Sequence, residues 1–381
     1  MIEKDQEKLN HMRPLEDIRV IDFSTLLPGP FASLMLAEAG AQVVKIERPG
    51  RGDEMRSYVP KFGEDSVNFA LLNAGKQSIA IDLKARDAVE RLCPLIAEAD
   101  IVIEQFRPGV MDRLGLGYAA LREINSRLIY CAISGWGQNG PKAMVAAHDL
   151  NYLAESGILG LSVGADGAPL IPPVLIADLA GGAYPAVTNI LLALRRRDKS
   201  GEGAYLDVSM GENLLTLAYW GLGSGFAADE WPSGSDALVT GGSPRYQIYR
   251  TSDNRHLAVA PIEDRFWENF CSTIGLAPEM CASEADEGEA IDAVGEIIAT
   301  KTAAEWTSIF AGKDVCCSIV ASLKDAVADP HVAARGLLSR KIMVEGRSIP
   351  ALPVPLSEQF RGSNESTPPR LGADTAKILA N

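Results

Sequence analysis

Short apolar runs alternate with longer amphipathic segments through the first half of the chain. The runs lack regularly spaced polar positions, so they predict strands buried on both faces of a parallel sheet. The predicted strands are 18–23, 42–47, 78–83, 101–106, 128–134 and 204–209. Helices are predicted over 31–39, 85–97 and 174–197, the last with a kink at Pro185. This alternation predicts an α/β fold with a Rossmann-like sheet.

The pattern changes at residues 223–242, which are rich in Gly, Ser, Asp and Pro and indicate a linker. A predicted hairpin and three predicted helices follow, so residues 243–327 are expected to form a smaller α+β domain. Residues 1–222 then form the first part of a large Rossmann-like domain, to which residues 328–381 return. The polar tail at 1–8 shows no secretory signal and is expected to fray.

Composition narrows the class of protein. A net charge of −14 over 381 residues argues against a nucleic-acid ligand, which needs a basic face. The most apolar stretches, 186–194 and 214–228, are too interrupted to cross a bilayer. Six scattered cysteines, without CxxC or Cys/His spacing, indicate reduced thiols in the cytoplasm and no metal site. A soluble cytoplasmic protein is therefore expected.

A dinucleotide site would lie in the turn between the first predicted strand and the first predicted helix. Such a site needs three spaced glycines that let the pyrophosphate approach a helix N-terminus. Residues 25–30, Thr-Leu-Leu-Pro-Gly-Pro, supply one glycine and two prolines. Glu47 stands near the position that binds ribose in dinucleotide-binding folds, but the glycine pattern is missing. A nicotinamide or flavin cofactor is therefore not expected.

Three residues stand where acid–base chemistry is plausible. His148 follows a glycine-rich loop that leaves a predicted strand, and ligands of open α/β sheets bind at such strand ends. Asp178 and Glu263 lie among apolar neighbours, where burial raises a carboxyl pKa towards a useful range. Structural alternatives are a helix-start or core histidine, a buried hydrogen-bonded Asp178 and a helix-start Glu263.

An anionic protein that binds phosphates must supply local cations. Arg48, Lys76 and Arg107 lie in loops bordered by proline or glycine in the first domain. Each fits a solvated surface charge, but three such loops of one sheet can also converge on one rim. Room for a ligand is suggested by Ala-Gly-Gly at 180–182, directly after Leu179.

These motifs resemble those of the family III CoA-transferase superfamily, also called CaiB/BaiF, over nearly the whole chain. The matching stretches are Arg13-Pro14-Leu15 through Pro30, Val44 to Gly50, Phe106-Arg107-Pro108-Gly109, Ser134-Gly135-Trp136-Gly137 and Asp329-Pro330-His331. Within that family, Ala147-His148-Asp149-Leu150-Asn151-Tyr152 is most similar to the α-methylacyl-CoA racemases, in which a histidine stands at this position. One departure is Ala147, where a glycine is usual.

The resemblance implies both site residues and assembly. His148 and Asp178 match the catalytic pair of the racemases, and Glu263 matches a glutamate that supports the histidine. Positions expected to bind coenzyme A are Arg48, Asn73, Lys76, Arg107, Asp149 and Tyr152. The implied fold is an interlocked homodimer with each active site between the large domain of one subunit and the small domain of the other. Coenzyme A is then part of the substrate, and no cofactor is expected.

Three functions are compatible with these residues. A racemase needs two bases on opposite faces of the α-carbon, as His148 and Asp178 can provide. A CoA-transferase needs a carboxylate nucleophile, which Asp178 alone can supply. A non-catalytic acyl-CoA-binding protein needs neither. The sequence favours racemisation of (2R)- and (2S)-2-methylacyl-CoA thioesters and leaves the acyl group open.

Overall fold

A computed structural model describes residues 13–164, 166–362 and 365–379. The predicted N-terminal tail and His11 lie outside these ranges. The described chain divides into two compact units. The first contains residues 13–156, 172–217, 331–362 and 365–379, and the second contains the described parts of 157–171 together with 218–330.

A parallel sheet of six strands forms the centre of the first unit. Its strands are Arg19–Asp22 (β1), Gln42–Glu47 (β2), Gln77–Ala80 (β3), Ile101–Glu104 (β4), Ile129–Ser134 (β5) and Ala204–Ser209 (β6). The order across the sheet is β3-β2-β1-β4-β5-β6, so Val20 of β1 pairs with Val43 on one side and Ile101 on the other. The predicted α/β fold with a parallel central sheet is confirmed.

Helices accompany this sheet, and the first of them begins with prolines. The helices are Pro28–Glu38 (α1), Val67–Asn73 (α2), Ala88–Ala97 (α3), Val110–Arg113 (α4), Tyr118–Ile124 (α5), Asp149–Glu155 (α6), Tyr184–Ser200 (α7) and Met210–Asn213 (α8). Pro28 and Pro30 lie in the first turn of α1, where a missing N–H costs no helical hydrogen bond. Ile21, Ile79, Leu92 and Val102 belong to the core of this unit.

A π-helix, Ala177–Ala183, precedes α7 directly. It widens the backbone just before Pro185, at the place where the sequence predicted a kink. A Cβ added to Gly181 would lie 2.2 Å from the Met210 carbonyl oxygen, and one added to Gly182 would lie 2.9 Å from Met210 Cγ. The space suggested for a ligand is therefore filled by α8, which corrects that sequence interpretation.

The C-terminal part adds a small sheet to the first unit. Its strands are Lys341–Val344, Arg347–Pro350 and Glu365–Ser366. Ile342 and Val344 pack with Ala70 of α2.

Further short elements of the chain are the strands Lys61–Phe62 and Asp65–Ser66, the 3₁₀ segments Glu54–Ser57, Ile158–Leu161, Leu214–Ala218 and Glu358–Phe360, and the helices Pro330–Ala334 and Thr375–Leu379.

The second unit is α+β. Its strands are Gln247–Arg250, His256–Val259 and Cys317–Ile319, and its helices are Tyr219–Ala228, Asp264–Ile274, Pro278–Cys281, Glu287–Ile298, Ala303–Phe310 and Leu323–Val327, with a 3₁₀ turn at Leu238–Thr240. The helix Tyr219–Ala228 includes residues 223–228, which the sequence assigned to a linker. Leu257, Phe270, Val294 and Trp306 are completely or almost completely buried in its core. Across the described ranges, every helix falls short of the length and apolar character needed to span a bilayer.

Candidate active site

A cavity of about 360 Å³ lies at the carboxyl edge of the sheet. It is bordered by the segments that follow β1, β4 and β5, and β1 and β4 are the neighbours between which the strand order reverses. Open α/β sheets bind ligands at this kind of crevice. The polar side chains that line it belong to Gln105, Arg107, Ser134, His148, Asn151, Tyr152 and Asp178.

One wall of the cavity is the turn between β1 and α1. Leu26 has a φ of 62°, a left-handed backbone that is strained for a branched side chain. Its N–H donates to Asp53 Oδ1 over 3.1 Å, and the N–H of Gly29 donates to Gln105 Oε1 over 3.0 Å. Side chains from two other loops therefore hold the turn in its strained form.

His148 immediately precedes α6 and lines the cavity. Its backbone N–H donates to Asn151 Oδ1 over 3.0 Å, and its carbonyl accepts from the N–H of Asn151 over 2.8 Å. The backbone is thereby fixed while the side chain stays exposed. Ala147 lies outside the left-handed backbone region, so an alanine there needs no strained conformation.

Asp178 lies in the first turn of the π-helix, half-buried, and lines the same cavity as His148. Its backbone N–H donates to Asp149 Oδ1 over 3.1 Å. Burial, followed by the negative charge of Asp149, raises the pKa of Asp178 to about 6, and His148 opposes this shift. The cavity therefore holds a carboxyl group that exchanges protons near neutral pH beside a histidine.

Tyr152 closes the cavity behind these two residues. It is 4% exposed and its hydroxyl donates to the Ala147 carbonyl over 2.9 Å. Its ring meets the Trp136 ring edge-on at 5.3 Å. A Cβ on Gly135 would lie 2.5 Å from the Tyr152 hydroxyl, so only glycine leaves room for this ring. Burial, then Asp178 and Asp149, raises the pKa of Tyr152 to about 12.

A second cavity, of about 700 Å³, lies at the carboxyl ends of β1, β2 and β3. Phe106 borders both cavities. Arg48 lies at the second cavity, is exposed and pairs with Glu54 over 3.6 Å. Lys84 and Arg113, which the sequence interpretation did not select, are also exposed there. Two of the three predicted cations, Arg48 and Arg107, thus line adjoining cavities.

Lys76 does not share that edge. It precedes β3 instead of following a strand, and its side chain is fully enclosed. Its ammonium group donates to the Pro30 carbonyl, Ser33 Oγ and Asn73 Oδ1, all within 2.9 Å, and lies 3.5 Å from Asp22. Asn73 is 0% exposed and also donates to the Phe69 carbonyl. Lys76 was expected in a surface loop like those of Arg48 and Arg107, and the structure corrects this expectation. That Asn73 and Lys76 contact coenzyme A stays a prediction.

Glu263 belongs to the second unit. It is exposed and immediately precedes the helix Asp264–Ile274, without capping that helix through its side chain. Its support of the histidine stays a prediction from the resemblance. Among residues 13–164, 166–362 and 365–379, no three His, Cys, Asp or Glu side chains form a group suited to a metal ion.

Other residues of the site escaped sequence analysis. Leu26 and Gln105 shape the cavity through strain and a long-range hydrogen bond, neither of which leaves a local pattern. Asp149 was predicted as a coenzyme A contact, but its hydrogen bond with the backbone of Asp178, 29 residues later in the chain, was not predicted. A signal did exist for Lys84, because it directly follows a predicted strand, as Arg48 and Arg107 do.

The fold defines a Rossmann-like α/β protein with a cavity at the sheet's carboxyl edge that is lined by His148 and Asp178. Residues 15–375 match CoA-transferase family III, and the chain belongs to that family. The sequence resemblance is confirmed.

Its relatives include two kinds of enzyme. The chain is 35% identical over 377 residues to the alpha-methylacyl-CoA racemase of Mus musculus, covering 96% of this chain and 92% of the relative. It is 30% identical over 397 residues to the succinyl-CoA:glutarate CoA-transferase of Homo sapiens, covering 99% and 87%. A solved CAIB/BAIF family protein from Brucella suis shares 26% identity and a TM-score of 0.80, covering 96% and 98%.

Proposed function

We propose that the protein is a racemase that interconverts (2R)- and (2S)-2-methylacyl-CoA thioesters by removing and returning the α-proton through an enolate. The observation that carries this proposal is that His148 and Asp178, two unlike acid–base groups, line one cavity. The racemase relative at 35% identity supports it.

In the proposed reaction, one of the two groups removes the α-proton from one face of the substrate. The conjugate acid of the other delivers a proton to the opposite face, which inverts the carbon. A carboxyl group with a pKa of about 6 suits both roles near neutral pH, because both of its forms are accessible. His148 is exposed to the cavity and serves as the complementary group.

The second cavity is the proposed place for the phosphates and adenosine of coenzyme A. Arg48, Lys84 and Arg113 provide local positive charge in a protein with a net charge of −14. Phe106 and Arg107 lie where the thioester arm would pass into the smaller cavity. No metal or further cofactor is proposed, and full activity after EDTA treatment and desalting is expected.

We also propose a homodimer, as the family resemblance implies. Helix α7 exposes Leu191 and Leu192 by 44% and 63%, and apolar surface of this kind is typical of a subunit interface. Glu263 would then support His148 of the other protomer. Sedimentation should show a dimer at micromolar concentration, whereas a stable active monomer would contradict it. A cytoplasmic location is proposed from six free cysteines.

CoA transfer is the second candidate, because a relative at 30% identity is a CoA-transferase and Asp178 is a carboxylate. In that reaction Asp178 would attack the thioester carbonyl and release coenzyme A as a thiolate. The thiolate would attack the mixed anhydride, leaving an aspartyl thioester and a free carboxylic acid. The acceptor acid would then complete the exchange by the same steps in reverse.

A deuterium experiment separates the two reactions. A single-enantiomer 2-methylacyl-CoA is incubated with the enzyme in deuterated water without any acceptor acid. A racemase incorporates one α-deuterium and yields both enantiomers. A parallel incubation contains succinate, glutarate or oxalate and measures new CoA thioesters. CoA transfer far faster than α-exchange would overturn the racemase proposal.

A further inference from the structure

Asp149 is a buried acid whose side chain accepts a hydrogen bond from the backbone of Asp178, one of the two proposed acid–base residues. It is the first residue of α6, is 6% exposed, and accepts the N–H of Asp178 over 3.1 Å. The N–H groups in the first turn of a helix lack partners within that helix, so this carboxylate satisfies one of them from outside. Negative charge is also favoured at the N-terminus of α6.

This arrangement places two carboxyl groups close together, one enclosed and one at the cavity. Asp149 was matched by resemblance to coenzyme A binding, yet its side chain here contacts Asp178. Two negative charges placed close together repel each other. This repulsion favours protonation of the group that takes up a proton more readily. Asp178 is that group, because it faces the cavity and its carboxyl oxygens have no hydrogen-bond partner among the described residues.

We propose that Asp149 is a positioning residue for Asp178: it holds the backbone there by a hydrogen bond and supplies a negative charge that favours the protonated form of Asp178. The consequence for catalysis rests on the proposed racemase function. A base must become an acid in the reverse direction, and Asp149 keeps the acid form of Asp178 available near neutral pH.

The other charged groups around Asp178 do not replace this effect. His148, directly before α6, favours the ionised form of Asp178. Tyr152 of α6 has its pKa raised to about 12, so it stays neutral. The Tyr184 ring of α7 packs on Phe31 of α1. On neighbouring elements, Glu212 of α8 and Asp207 of β6 lie beside Gly137, and Arg107 lies at the cavity. Apart from burial, the charges that shift the pKa of Asp178 are those of Asp149 and His148.

The test titrates Asp178 directly in the ligand-free protein. Aspartate labelled with carbon-13 at the side-chain carboxyl is incorporated, and Asp178→Asn identifies the resonance. Asp149→Asn keeps an acceptor for the N–H but removes the charge, so the titration midpoint of Asp178 should fall by about one pH unit. Glu155→Gln removes a charge from the far end of the same helix, where Glu155 pairs with Lys142, and should leave the midpoint unchanged.

Activity supplies the second readout. In Asp149→Asn, the acidic limb for the enantiomer deprotonated by Asp178 should move to lower pH. The limb for the other enantiomer, which needs protonated Asp178 as donor, should move the same way, because both follow one group. Loss of packing would lower both rates without moving the limbs. Asp149→Ser, also an uncharged acceptor, gives the same test if the asparagine variant does not fold.

A midpoint of Asp178 that stays unchanged or rises in the uncharged variants overturns the inference. The titration needs no substrate, so it decides the role of Asp149 even if the protein transfers CoA. Conversely, a lowered midpoint together with absent α-deuterium exchange in the wild type would support Asp149 and reject the racemase proposal.

Discussion

The first unit contains a buried group of charged residues around Asp22 and a second group, His148 and Asp178, at the cavity. The two groups differ in how many of their charged atoms have partners inside the protein. In the buried group, Asp22 accepts hydrogen bonds from Ser24 and Ser33 and lies 3.5 Å from the Lys76 ammonium. In the cavity, His148 is exposed and Asp178 is half-buried. Charges with full sets of internal partners build the scaffold, whereas incompletely paired ones are available for chemistry.

The two aspartates show the electrostatic side of this difference. Burial works to raise the pKa of Asp22, but the positive charges of Lys45 and Lys76 and two hydroxyl groups lower it overall. Asp178 has burial and the negative charge of Asp149 raising its pKa, and only His148 opposing them. The same residue type is thus held ionised in one place and poised to exchange protons in the other.

The strongest test of the comparison removes the histidine. His148→Ala should lower α-proton exchange by about 10² to 10⁴, the usual contribution of positioned proton transfer. The affinity for acyl-CoA, measured by calorimetry, should change little, because the proposed phosphate contacts lie in the other cavity. His256→Ala, an exposed histidine of the second unit, is the matched control. Exchange that survives in His148→Ala contradicts the proposed role.

Sequence patterns predicted the sheet because buried parallel strands are near-continuous apolar runs. The predicted bounds of β2 and β6, 42–47 and 204–209, are those of the structure. The π-helix was not predicted, since its close packing of Gly181 against Met210 joins two elements and leaves no local pattern. Residues 157–171 likewise belong to the second unit without a compositional signal.

The site was predictable where a residue follows a strand. Arg48 and Arg107 follow β2 and β4 and line cavities, whereas Lys76 precedes β3 and is buried. All three loops look alike in composition, so strand direction was the informative feature. The pairing of Asp149 with Asp178 joins two elements brought together by the fold and has no local signature.

Replacing each aspartate by asparagine separates the scaffold from the site. Asp22→Asn removes the carboxylate paired with the buried Lys76, whereas the buried Lys45 keeps its ion pair with Asp53. The free energy of unfolding should fall by about 3–5 kcal/mol. Asp178→Asn should change it far less while abolishing exchange, because Asp178 has no cationic partner comparable to these lysines. Urea unfolding and deuterium exchange measure the two effects. Equal stability losses would show that both groups are structural.

Arg107 lines the cavity, whereas Lys76 is buried, so the two cations are expected to differ in function. Arg107→Met should raise the KM for acyl-CoA about tenfold, the size expected for one hydrogen bond to a charged group. The free energy of unfolding should stay unchanged, because Arg107 is exposed. Arg122→Met, an exposed arginine of α5, is the control for loss of positive charge. An unchanged KM in Arg107→Met would remove this residue from the proposed substrate path.

The smallest expected effect is the pH dependence of stability that Asp178 contributes. Its folded-state pKa of about 6 lies above its ordinary value of 3.8, so the folded state binds the proton more tightly than the unfolded state. The stabilisation is therefore fully present below pH 3.8 and is lost as the pH rises through about 6. Because the carboxyl group is partly exposed, the change should be on the order of 1 kcal/mol. Asp22, with a lowered pKa, should contribute to stability with the opposite sign.

Urea unfolding of the wild type and Asp178→Asn at pH 4.5 and 7.5 measures the change, at equal protein concentration. The stability of the wild type relative to Asp178→Asn should be greater at pH 4.5, and a difference that grows with pH would contradict the raised pKa.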